Sequence, residues 1–241
     1  MPEEFEGDLA GAVFWGADLK GARFRDVDLT GARISHAFVE DVDIDATIDR
    51  LVVNGVDVTA YVNERDPWHP LRNMLRASTA ADMRATQAGM DEAWAATVER
   101  ARALPEATRQ EQVDGEFSFV ETLRHVVFAV DKWFTQPVLG GSFDPMGLPN
   151  RGSLDFGWPG LDYGLRPTFD EAVAAWSGRI DGFRDFLAGL SDADLDRSVD
   201  VMENGTCPLT DCTFTVFEEG FWHNRYALRD LATLEARSAG G

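Results

Sequence analysis

A chain of 241 residues with 42 Asp and Glu against 22 Lys and Arg carries a formal net charge of −20. Such a surface repels phosphate backbones and anionic lipid, which argues against nucleic-acid and membrane partners. The length suffices for a small module plus one domain able to bury its own core. The N-terminal MPEEFEGDL has neither the basic nor the apolar region of a secretory leader, and no run approaches the ~18 apolar residues of a membrane span, so a cytoplasmic location is expected.

The first element is a five-residue rhythm. Phe5, Leu9, Phe14, Leu19, Phe24, Leu29, Ile34, Val39 and Ile44 recur at intervals of four and then strictly five. Most are preceded two positions earlier by a small residue, in the series Gly7, Ala12, Ala17, Ala22, Val27, Ala32, Ala37 and Val42. Neither a helix nor a flat strand repeats every five residues. A coil with four short faces does, if each face turns its large and its small residue into one narrow interior. The segment FEGDL AGAVF WGADL KGARF RDVDL TGARI SHAFV EDVDI resembles the pentapeptide-repeat family. That resemblance implies a short right-handed quadrilateral β-solenoid over residues 1–48. Asp8, Asp18, Asp26, Asp28, Asp41, Asp43 and Asp45 invite comparison with repeat proteins that mimic DNA, but the run is too short for an extended duplex mimic. A structural platform or docking surface is the expected role, with His36 outward and solvated.

Residues 49–75 read as a closing hairpin and linker. Leu51-Val52-Val53 and Val56 to Tyr61 flank Asn54-Gly55, a strong turn pair. Asp66-Pro67-Trp68-His69-Pro70 then breaks regular structure, with Trp68 placed to anchor the linker and His69 structural or solvated.

Residues 76–236 read as an all-α four-helix bundle. Met83, Gln87, Met90, Trp94, Thr97, Ala101 and Leu104 alternate by three and four, predicting a helix from about Thr79 to Ala103. Ser118-Phe119-Val120-Glu121 is a capping box opening a second helix through Leu123, Val127, Val130 and Phe134, with its end placed at Pro137. Gly140 to Pro167, rich in Gly, Pro and aromatic residues, reads as a functional crossover or lid. Thr168-Phe169-Asp170-Glu171 is a second capping box, and a last helix is predicted from about Thr215 to Ala236. Cys207 and Cys212 read as reduced loop thiols, since two cysteines make neither a disulfide scaffold nor a zinc site.

Glu219 and His223 are four apart, on one helix face and close enough to bind one metal. Val216, Ala227, Leu231 and Leu234 fall on the same side, so the pair interrupts an apolar stripe. A surface ion pair, or a core histidine satisfied by ordinary hydrogen bonds, would have the same spacing. Glu121 stands four before His125, but its capping box explains it more simply. Asp230 falls on the His223 face, suited to orienting a ligand or pairing with an arginine, and Asn224 and Tyr226 are candidate pocket-lining groups.

The stretches Asp66-Pro67-Trp68, Asp114 to His125, Met146-Gly147-Leu148-Pro149 and EGFWHNRYALRDLATLE (Glu219 to Glu235) resemble the DinB-like superfamily. The resemblance implies a metal held by His125 from the second helix with Glu219 and His223 from the last. Helical periodicity alone does not turn His125 inward. One histidine plus Glu-x3-His resembles the ligand set of mycothiol-dependent maleylpyruvate isomerases. Such a set implies a divalent metal, zinc first with nickel, iron or manganese as alternatives, that keeps a coordination position open. The implied activity is that of a thiol S-transferase or thiol-dependent isomerase activating a low-molecular-weight thiol toward a small electrophile. Scarce Lys beside abundant Arg, Ala, Gly and Asp suggests GC-rich bacterial coding, which favours mycothiol. A noncatalytic metal-binding or interaction protein, docking through its repeats, is the alternative, and a homodimer is left open.

Overall fold

The computed structural model describes residue 5 and residues 7–25 and 27–239, and divides into two units, Met1–Ala46 and Thr47–Gly241.

In the first unit the five-residue rhythm is written in the backbone. Gly11, Gly16, Gly21, Gly31, His36 and Asp41 all adopt positive φ, between 53° and 77°. A second period of ten lies over it. The Ala12, Ala22 and Ala32 N–H groups donate to the carbonyls of Leu9, Leu19 and Leu29 at 2.9–3.0 Å. The Asp8, Asp18 and Asp28 carboxylates accept from the amides of Ala10, Lys20 and Thr30 at 2.8–3.1 Å. The closed interior of a solenoid is not what these residues show. No strand forms among those described, and Leu19, Phe14 and Ile34 keep 46%, 58% and 85% of their surface exposed. Forty residues at five per face supply no layer with neighbours on both sides, so no layer is fully covered. His36 is exposed, and Asp26 lies outside the described residues.

The second unit begins with β1 (Val52–Val53) and β2 (Val56–Asp57), paired antiparallel across Asn54 and Gly55. Both turn residues have positive φ, 50° and 83°, as a tight hairpin requires. The strand expected to reach Tyr61 stops at Asp57, whose carboxylate accepts the Thr59 N–H at 3.0 Å and opens α1 (Thr59–Asn63). In α2 (His69–Met74), His69 Nε2 accepts from Asn73 at 2.8 Å, a structural contact. Trp68 meets Phe221 edge-on at 6.2 Å and ties this segment to the helical core.

Next come α3 (Ala80–Arg102), capped by Thr79, and the short α4 (Glu106–Arg109). Then α5 (Phe119–Val130) opens on the reciprocal Ser118/Glu121 box, at 3.2 and 2.8 Å. Pro137 does not end this helix. A π turn over Asp131–Thr135 leads into α6 (Gln136–Leu139), which stops at left-handed Gly140. Proline lacks an N–H and its ring crowds the carbonyl four residues back, and the wider turn before it relieves both conflicts. After the crossover, irregular apart from a 3₁₀ stretch at Arg151–Phe156, α7 (Phe169–Gly189) opens on the Thr168/Glu171 box. An unanticipated hairpin follows, β3 (Ser198–Val201) with β4 (Gly205–Pro208). The last helix, α8 (Leu209–Ala239), starts well before Thr215. Thr213 and Thr215 return their hydroxyls to the carbonyls of Thr210 and Asp211 at 2.9 Å, so these polar residues do not interrupt it.

In this four-helix bundle, α3 packs on α7 and α8, and α5 packs on the same two helices. Phe183 sits between Phe134 and Phe217, at 4.9 and 5.5 Å, in the core. Trp94 Nε1 donates to the Gly220 carbonyl at 3.0 Å, and a β-carbon at Gly220 would fall 2.9 Å from Met90 Cε, so α3 and α8 approach closely beside Glu219. The crossover packs Phe143 and Trp158 on Phe128 of α5 at 5.8 and 5.0 Å, next to His125. Among the described residues no helix is long and apolar enough to cross a membrane.

Candidate metal centre

Two helices bring three side chains together. α5 supplies His125 and α8 supplies Glu219 and His223, with one donor atom from each within 4.8 Å of the others. Their side chains keep 2%, 27% and 10% of their surface exposed, so the imidazoles are enclosed and the carboxylate retains an accessible edge. The two rings lie 4.4 Å apart. His125 Nε2 is 3.4 Å, and His223 Nδ1 3.2 Å, from Glu219 Oε2.

The proton positions follow from the partners. His125 Nδ1 lies 2.8 Å from the Leu148 carbonyl, which only accepts, so Nδ1 carries the hydrogen and Nε2 presents a lone pair. His223 Nδ1 lies 2.9 Å from the Glu219 main-chain carbonyl, which assigns its hydrogen in the same way. His125 Nε2 is therefore a buried lone pair facing a carboxylate, without a hydrogen-bond partner. A buried polar atom left so is costly, and a cation between the two groups relieves it. The 3.4 Å between His125 Nε2 and Glu219 Oε2 matches tetrahedral donors about 2.1 Å from a zinc-sized ion, which lie about 3.4 Å from one another, and His223, protonated at Nδ1, would offer Nε2. Burial chiefly, then the nearby His223, lowers the His125 pKa and favours the neutral ring that a metal needs.

The other candidates separate clearly. Glu121 accepts from the Ser118 amide and from Gln112 and is taken up by the cap. Asn224 turns away, donating to Thr97 in the core at 2.9 Å. Asp230 pairs with Arg229 at 2.7 Å instead of orienting a ligand. Tyr226 meets the His223 ring edge-on at 5.8 Å. Cys212 is buried and Cys207 part-exposed, neither in a disulfide. Two neighbours were missed from the sequence: Phe117, whose ring lies 5.4 Å from His125, and the Leu148 carbonyl. The Gly147/Pro149 bracket around Leu148 was the available signal for a fixed main chain.

Comparison with known proteins agrees with both units. Pentapeptide repeats, in eight copies, match residues 8–44. No curated protein and no solved structure matches at a significant level. The model of the DinB superfamily matches residues 90–227, more than half of the chain and a span containing all three clustered residues, and the chain belongs to that superfamily.

Proposed function

We propose that the bundle is a divalent-metal-dependent thiol S-transferase, with zinc at His125, Glu219 and His223 and mycothiol as the first thiol to test. The observation that supports it is the unpartnered Nε2 lone pair of His125 facing a carboxylate that keeps an accessible edge. A bound divalent metal would supply a Lewis acid able to keep a small thiol as its nucleophilic thiolate at neutral pH. The chain's residues do the rest. Leu148 and the Glu219 main chain hold both imidazoles in one tautomer, and Phe117 and Tyr226 flank the histidines. The cysteines take no part in this scheme, because burial pushes Cys212 up to about 11 and the nucleophile is supplied in solution.

The deciding experiment uses cobalt-substituted protein. Mycothiol or a simplified analogue is expected to perturb its spectrum and to support conjugation to a bimane or an epoxide. His125→Ala should remove both signals, while loss of both cysteines should leave them. If mycothiol, bacillithiol and glutathione neither shift the spectrum nor react, the protein is a noncatalytic member of the superfamily.

For the repeats we propose a two-coil right-handed quadrilateral winding that serves as a platform, supported by the eight matched repeats and by left-handed residues at five-residue spacing. Ala22→Leu tests it. An interior position costs about 1–3 kcal/mol by overpacking, and an unchanged melt would rule out this winding.

A further inference from the structure

Arg124 sits in α5 beside His125 and is buried to 4% exposure. Its guanidinium is committed to main-chain carbonyls of the crossover: Nε donates to Met146 at 2.8 Å and Nη1 to Leu165 at 3.1 Å, while Nη2 has no hydrogen-bond partner. The Arg124 carbonyl in turn accepts the Leu148 N–H at 3.1 Å. Leu148 is the residue whose carbonyl orients His125. Gly147 lets this segment lie against the helix, since a β-carbon there would fall 2.9 Å from Leu161 Cδ2, 3.2 Å from the Asp144 carbonyl and 3.4 Å from Phe128 Cβ.

Burying a guanidinium on carbonyls is costly, and an apolar side chain of similar length would fill the place without that cost. What the arginine side chain adds is a grip on the carbonyl two residues before Leu148 and on the far end of the crossover at Leu165, beside the Leu148 N–H bond that the main chain of residue 124 makes. A histidine ligand is oriented by the partner of its other ring nitrogen, and loss of such a partner typically weakens metal binding 10–100-fold. We propose that Arg124 is a positioning residue: it clamps Met146 to Leu148 onto α5, so that the Leu148 carbonyl holds His125 as the Nδ1–H tautomer with Nε2 directed at Glu219 and the metal. This rests on the metal reading above, but its tautomer prediction can be measured without metal.

Two readouts on the full chain test it. Nitrogen NMR of 15N-histidine-labelled, metal-free protein reports the tautomer, and competition with a chromogenic chelator reports zinc affinity. Arg124→Met keeps the apolar stem and removes the grip, Arg124→Lys restores a donor, and Gly147→Ala lifts the segment from the loop side. Arg84→Met is the control, because Arg84 also donates to carbonyls, those of Leu187 and Leu190 at 3.0 and 3.1 Å, outside the cluster. Arg124→Met and Gly147→Ala are expected to lose the uniform Nδ1–H signal and to bind zinc about tenfold or more weakly. Arg124→Lys should recover part of both, and Arg84→Met should change neither. A folded Arg124→Met protein with wild-type tautomer and affinity overturns the proposal. If that variant does not fold, wild-type behaviour of both Arg124→Lys and Gly147→Ala overturns it instead. Wild-type protein that binds no zinc defeats the metal reading, and the tautomer comparison still decides whether the clamp exists.

Discussion

At the scale of single residues, the centre is defined by which hydrogen bonds are made and which are not. With the metal held as proposed, removing either histidine removes a ligand, so His223→Ala should abolish stoichiometric metal binding and His125→Ala should weaken it severely. Elemental analysis of untagged protein measures both, and full metal content in both variants would rule the site out. The cysteines offer a separate test of burial. Burial raises the Cys212 thiol to about 11, so at pH 8 it is protonated and shielded, whereas Cys207 is part-exposed. A thiol reagent at that pH should label Cys207 in native protein and both cysteines after denaturation. Asp66 and Arg72 form an enclosed ion pair, 2.6 Å apart with side chains 16% and 7% exposed. Asp66→Ala leaves the arginine without that counter-charge and should cost about 3 kcal/mol in chemical unfolding.

At the scale of elements, the starts of α5 and α7 were legible because a cap is a local event. Ser118/Glu121 and Thr168/Glu171 each satisfy two amide groups within four residues, and the structure contains both boxes. Ser118→Ala should accordingly cost about 1 kcal/mol by urea denaturation. Helix ends were less legible. Pro137 is an ordinary stop signal, overridden by a π turn whose shape depends on the packing around Asp131 and Phe134, both fully buried. The direction of His125 was illegible for a related reason. α5 carries an apolar arc through Leu123, Val127 and Val130 with His125 roughly opposite, and the face bearing His125 is buried as well, so the arc alone points the histidine the wrong way. The β3–β4 hairpin did leave a trace, the Asn204-Gly205 pair. It is the same turn signal that marked Asn54-Gly55, though here Met202–Asn204 forms a 3₁₀ turn. The ten-residue alternation in the repeats was also on view, as Asp-Leu-x-Gly-Ala at Asp8, Asp18 and Asp28.

At the scale of the whole molecule, the division at Ala46 separates a segment of short-range turns from a unit with a continuous aromatic and aliphatic core. Residues 47–241 expressed alone should fold cooperatively and bind metal with the affinity of the full chain, as calorimetry of both would measure. Loss of metal on truncation would mean that the repeats shape the site. By itself the sequence determined the five-residue period, the helical capping boxes, the acidic surface and the Glu219/His223 face, because each depends on residues within one or two turns of chain. Only the tertiary structure decided that His125 faces that pair, that Leu148 fixes its tautomer and that Arg124 grips the crossover. These contacts join α5 to α8 and to a loop more than twenty residues away, and their geometry is set by packing, which no local spacing encodes.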